Sequence, residues 1–115
     1  MPAPTARQTY AKLNLLLIAA QARKGNYVYI CSSKELARNT FDLLIRLVKA
    51  LDLTMDVMVY SQYIMIKDSR IMIKAITDEA DDYRGLELSG FEFDSYQDDM
   101  KAVKNLSSFL IPQVR

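Results

Sequence analysis

The 115-residue chain has no histidine and a single cysteine, Cys31. Without histidine it lacks the commonest metal ligand and the side chain whose ordinary pKa suits proton shuttling near neutral pH. One cysteine can build neither an internal disulfide framework nor a cysteine zinc cluster, so both classes are excluded. The longest apolar run, Leu15-Leu16-Leu17-Ile18-Ala19-Ala20, falls far short of the roughly 20 residues that cross a bilayer. No basic segment with a cleavage pattern precedes it. These absences predict a soluble, cytoplasmic protein without membrane contact. Net charge is nearly absent too: fifteen Lys and Arg against fourteen Asp and Glu leave +1, which argues against a nucleic-acid coat and against a disordered acidic tail. The chain has no internal repeat, low-complexity tract or linker.

What is present suits one globular domain spanning residues 1–115, because half of the residues are hydrophobic and a quarter charged, enough for a single core but not for two. The near-zero charge conceals an asymmetry. Residues 1–75 carry eleven basic and five acidic side chains, whereas residues 76–115 carry four basic and nine acidic ones.

Thr5 followed by Gln8 has capping-box spacing, and Leu13, Leu16, Leu17 and Ala20 then recur at helical intervals until Gly25, which predicts a helix over about 6–24 with Gly25 as its cap. Asn26-Tyr27-Val28-Tyr29-Ile30-Cys31 reads as a strand, and Ser32-Ser33-Lys34-Glu35 as a second capping box that opens a helix running to about Leu51. Its apolar side carries Leu36, Phe41, Leu44, Leu47, Val48 and Leu51. From Asp56 the period shortens. Val57–Tyr60, Tyr63–Ile66 and Ile71–Ile76 are apolar runs of strand length, separated by Ser61-Gln62 and by Lys67–Arg70. Thr77–Asp82 reads as an acidic loop, Ser89-Gly90 as a turn into a last buried strand over Phe91–Phe93, and about Asp98–Leu110 as a final helix stopped by Pro112. The order α-β-α-β-β-β-α predicts an α/β fold, a small layered sandwich with a partly parallel sheet in which Tyr27–Cys31 and Phe91–Phe93 are interior neighbours.

Several short segments, in order, resemble the ATPase core of phage terminase large subunits. Pro2-Ala3-Pro4-Thr5-Ala6-Arg7-Gln8-Thr9 stands before an apolar helix where a phosphate-binding loop would end. Ser69-Arg70-Ile71-Met72-Ile73 followed by Tyr83-Arg84-Gly85-Leu86 and an apolar strand ending at Asp94 resembles the stretch that runs into the Walker B strand. The resemblance covers about residues 5–96 and implies a trimmed P-loop ATPase core in a phage-encoded protein. It also carries departures. Pro2 and Arg7 replace the loop glycines, Gln8 the lysine, and Asp94-Ser95 the acidic pair, while the first strand of that core is missing. Only Thr9 and Asp94 remain as magnesium contacts, should a nucleotide bind. A protein that catalyses phosphoryl transfer by positioning and electrostatics needs the lost lysine and carboxylate, so no catalytic residue and no cofactor is assigned.

Asp78, Glu79, Asp81 and Asp82, with Asp94, Asp98 and Asp99, lack the spacing of a calcium loop and read as a solvated acidic loop or as a surface for a basic protein partner. No metal site is assigned. Arg84 either meets that partner or pairs with Asp81 or Asp82. Arg7, Lys12, Arg23, Lys24, Lys34, Arg38, Arg46 and Lys49 decorate the two helices around Tyr27 and Tyr29. They read as solubilising residues around core tyrosines or, alternatively, as a nucleic-acid surface. Cys31 reads as a small buried side chain, and Met58, Met65 and Met72 as core filler. The function expected is therefore a non-catalytic interaction protein that binds a protein partner, with two alternatives: an ATPase subunit completed by oligomerisation, and a DNA-binding accessory factor.

Overall fold

A computed structural model of the protein describes residues 6–77 and 87–114. The fold is α/β. Helix α1 (Ala6–Ala22) leads into strand β1 (Asn26–Cys31) and helix α2 (Lys34–Ala50); then come β2 (Val57–Val59), β3 (Tyr63–Ile66), β4 (Ser69–Ala75), β5 (Leu88–Phe93) and helix α3 (Met100–Leu110). The five strands form one sheet in the order β2-β3-β4-β1-β5. Strand β1 runs parallel to both β4 and β5, and the β2-β3-β4 part is antiparallel.

Alternation along β1 accounts for the layers. Tyr27, Tyr29 and Cys31 point to the face covered by α1 and α2, where they meet Leu13, Leu17, Leu44, Val48, Ile64, Ile66, Ile71 and Ile73. Val28 and Ile30 point to the other face, against Met72, Leu88, Leu106 and Leu110, the last two on α3. A strand covered on both faces must be apolar throughout, which is why β1 shows no polar alternation. Each of these large side chains contributes roughly 1.5–3 kcal/mol when fully buried.

The helix ends are closed by specific groups. Ser33, one residue later than the capping-box reading places it, caps α2: its Oγ accepts from the Leu36 amide at 3.2 Å. At the other end Leu53 N–H bonds to Val48 O and Asp52 N–H to Lys49 O, with Asp52 in the left-handed region at φ 58°, the pairing of a Schellman close. Helix α1 ends at Ala22, two residues before the expected end. Its terminal carbonyls are taken by side chains from the sheet, the Tyr27 hydroxyl lying 2.7 Å from Arg23 O and the Ser69 hydroxyl donating to Ala20 O at 2.7 Å. Gly25 is therefore needed for space and not as a cap, since a Cβ there would lie 1.8 Å from the Ser89 Oγ.

Three further expectations are corrected. Ser89-Gly90 is not a turn but part of β5, where the register slips so that Asn26 pairs with Leu88 and Tyr27 with Gly90. Ser89 is the bulged residue, and Gly90 lies under the Tyr27 ring, 3.3 Å from where a Cβ would stand. Strand β5 neighbours β1 as expected but is outermost among the described strands, with Phe91 and Phe93 only half-buried. Lys67 and Asp68 alone make the β3-β4 turn, both at positive φ (46° and 68°), as a two-residue hairpin of this hand requires. Ser69 and Arg70 thereby join β4. Thr5 and the stretch 78–86 lie outside the described residues.

Candidate functional site

Parallel strands β1 and β5 end side by side, and the chain leaves β1 for β4 on the opposite side, so the carboxyl end of β1 is the sheet's switch point. The two residues kept from the ATPase-like pattern meet here. Thr9, on the buried side of α1, and Asp94, directly after β5, are each 3% exposed. Tyr29 joins them: its hydroxyl donates to Asp94 Oδ1 at 2.5 Å and lies close to the Thr9 side chain. Ser95 N–H adds a second donor to Oδ1 at 3.1 Å, while Oδ2 is buried without a hydrogen-bond partner. Burial first, and the adjoining Asp94 second, push the Tyr29 phenol far above its ordinary range. The Tyr29 phenol thus occupies Asp94 Oδ1. Among the described residues no three His, Cys, Asp or Glu side chains converge as a metal would need.

The surroundings are equally closed. Cys31 is fully buried, its thiol 3.4 Å from the Thr40 hydroxyl, and burial pushes its pKa up to about 12. A thiol held protonated at neutral pH is no nucleophile. Gln97 donates to Ile30 O at 3.2 Å, tying the segment after β5 to the end of β1. Lys12 reaches from α1 to Glu92 at 2.7 Å and to Phe93 O at 2.8 Å.

The acidic surface read from the sequence changes accordingly. Asp78, Glu79, Asp81, Asp82 and Arg84 lie outside the described residues. Of the remaining acids, Asp94 is buried and Glu92 is half-buried and paired with Lys12; Glu87, Asp98 and Asp99 are exposed, and Asp99 caps α3 by accepting from Ala102 N–H at 3.0 Å. Tyr27 and Tyr29 are core residues, which leaves the basic helices without those two rings as stacking platforms.

A different surface stands open. Among the described strands β2 is the other sheet edge, and Met55, Met58 and Val59 on and beside it are 95%, 62% and 56% exposed. Met58 is thus surface and only Met72 of the expected fillers is fully core, Met65 being half-buried. Tyr60 N–H bonds inward to Tyr63 O, so by antiparallel alternation the backbone groups of Val57 and Val59 face outward. The Tyr60 and Tyr63 rings stack at 4.7 Å beside this edge, with the Arg70 guanidinium 5.6 Å from the Tyr63 ring centre. Composition marked these residues as buried because a short apolar run reads alike at an edge and in a centre.

Compared with known proteins, the chain matches no protein-family model and no curated protein. No described helix is long and apolar enough to cross a membrane.

Proposed function

We propose that this is a non-catalytic interaction protein, phage-encoded and built on a trimmed terminase-like core, that works by binding a protein partner. The observation that carries the reading is the open β2 edge, where outward backbone groups coincide with exposed Met55, Met58 and Val59. An unprotected apolar edge invites strand pairing, and proteins that do not use such an edge ordinarily blunt it with charge, proline or a covering element. Here the partner supplies the missing strand, and its apolar side chains cover the methionines. The acidic residues Asp78, Glu79, Asp81 and Asp82 favour a basic partner by accelerating encounter, and Arg84 adds a contact of opposite sign. The lack of a phosphate-clamping lysine and the Tyr29 phenol on Asp94 Oδ1 support the non-catalytic part.

Affinity capture from the native host cell tests the proposal, with wild-type protein run beside Met58→Lys and Val59→Pro. The first puts charge on the exposed face and the second removes one outward N–H while leaving the internal ladder intact. A partner retained by the wild type and lost by both variants supports strand pairing at β2; equal capture by all three rejects it. A malachite-green assay should detect no ATP or GTP turnover, and turnover abolished by Asp94→Ala would overturn the non-catalytic reading.

A further inference from the structure

An open cavity of about 300 Å³ lies between the start of α2 and the end of β4, on the far side of the sheet from the β5 edge. It exists because the strands differ in length: β3 begins at Tyr63, opposite Met72, whereas β4 continues to Ala75. Beyond Met72 the pairing goes on through Gln62, whose carbonyl accepts from Ile73 N–H at 3.2 Å, and α2 roofs the space next to it. Two cations of α2, Lys34 and Arg38, line the space with Ser61 and Gln62 of the β2-β3 turn, the half-buried Phe41 ring and the Ile73–Ala75 segment of β4. Among the described residues no carboxylate lines it, and neither cation has an ion-pair partner.

Lys34 and Arg38 stand one helical turn apart, a spacing at which like charges repel. They also lie in the first turns of a 17-residue helix, whose positive dipole end adds to the same potential. Concentrated positive charge in a concave, partly apolar space is relieved by an anion, and a phosphate group answers it better than a carboxylate. It carries up to two charges and several acceptor oxygens, enough for the Arg38 fork, the Lys34 ammonium and the Ser61 hydroxyl together. The volume sits at the lower end of small-ligand pockets, which begin at roughly 300 Å³.

We propose that this cavity binds a phosphate-bearing ligand, with Lys34 and Arg38 holding the phosphate and Phe41 supporting the group attached to it. The site is independent of the β2 edge, and its test needs no protein partner. Inorganic pyrophosphate is titrated into the 15N-labelled full chain at constant ionic strength, and amide shifts are followed by NMR. Saturable shifts are expected at Phe41, Gln62 and Lys74, and the Lys34→Gln, Arg38→Gln double variant should weaken binding by about tenfold or more, as loss of charge-assisted hydrogen bonds does. The control is Arg46→Gln, Lys49→Gln, which removes the same charge from exposed positions of the same helix outside the cavity and should change affinity by less than about twofold, the scale of screened distant charge. A second arm replaces pyrophosphate with a short oligothymidylate. If it shifts the same amides in a Lys34- and Arg38-dependent way, the phosphate comes from a nucleic-acid strand; if only pyrophosphate does so, it comes from a small ligand. Absence of saturable shifts in both arms, or equal weakening by the two double variants, overturns the proposal.

Discussion

Strands β1 and β2 belong to one sheet and are both short and apolar, yet they have opposite environments. Strand β1 is flanked by strands on both sides and helices on both faces, and Val28, Tyr29, Ile30 and Cys31 retain no exposed surface. Among the described strands β2 has one neighbour, and Met58 and Val59 are more than half exposed. Apolar character at β1 is thus explained by the fold, because burying both faces stabilises it. At β2 the fold leaves it unexplained, and an apolar surface that contributes little to folding points to a partner.

The largest expected effect sharpens the β1 side. Tyr29→Ala opens a cavity and strips Asp94 Oδ1 of its phenol partner, and should cost roughly 3–5 kcal/mol in urea unfolding. Tyr29→Phe keeps the ring and should cost about 1–3 kcal/mol, the penalty for leaving buried polar groups unmatched. If both variants unfold like wild type, β1 is not the centre of stability.

Next is the packing of Gly25 on Ser89. A Cβ at Gly25 would lie 1.8 Å from the Ser89 Oγ and 2.6 Å from its Cβ, so Gly25→Ala should destabilise by about 1–3 kcal/mol, as overpacking does. Ser89→Gly removes both atoms. Most of the loss should return in the double variant, giving a clear coupling energy; independent, additive effects would contradict the described contact.

The buried proton donors make alkaline stability a further contrast. Cys31, ordinarily at 9.0, is raised to about 12, and Tyr29 is raised from an ordinary 10.0. In this window the folded chain holds more protons than the unfolded one. Stability is therefore complete below about pH 9 and falls as pH climbs towards 12, by at most about 1.4 kcal/mol per pH unit for each group. Cys31→Ala should flatten the first part of the fall, between pH 9 and 10, in urea titrations at successive pH values. A fall that begins equally early without the thiol would contradict this assignment. The smallest effect is expected at the other edge, where Met58→Lys should change stability by less than about 0.5 kcal/mol, since it exchanges one exposed side chain for another.

The sequence made the local parts of this molecule legible. Tyr27–Cys31 has strand composition, Leu44 and Val48 share an apolar stripe, and a strand joined to a capped helix predicts a partly parallel sheet, as found. Non-local facts were not legible. That β5 bulges at Ser89, that Gly25 makes room for it, and that Tyr29 bonds to Asp94 all depend on register between segments more than 60 residues apart. No local window contains that information. Met58 and Met72 show the same limit, being chemically identical in similar runs but separated by their places in the strand order. Of the candidate sites, the retained Thr9 and Asp94 were visible as residues and the phenol that occupies Asp94 was not. The cavity at Lys34 and Arg38 required a strand-length mismatch that periodicity does not encode.

The central claim is that the β2 edge is a docking strand for a protein partner. Its most direct measurement is quantitative capture of the partner retained by wild-type protein, repeated with Val59→Pro after circular dichroism and urea unfolding have established that this variant keeps the fold. The account predicts that the folded variant loses the partner, because one outward N–H of the docking strand is gone and the incoming strand meets the proline ring. Capture of the same partner in the same amount by folded Val59→Pro would contradict it.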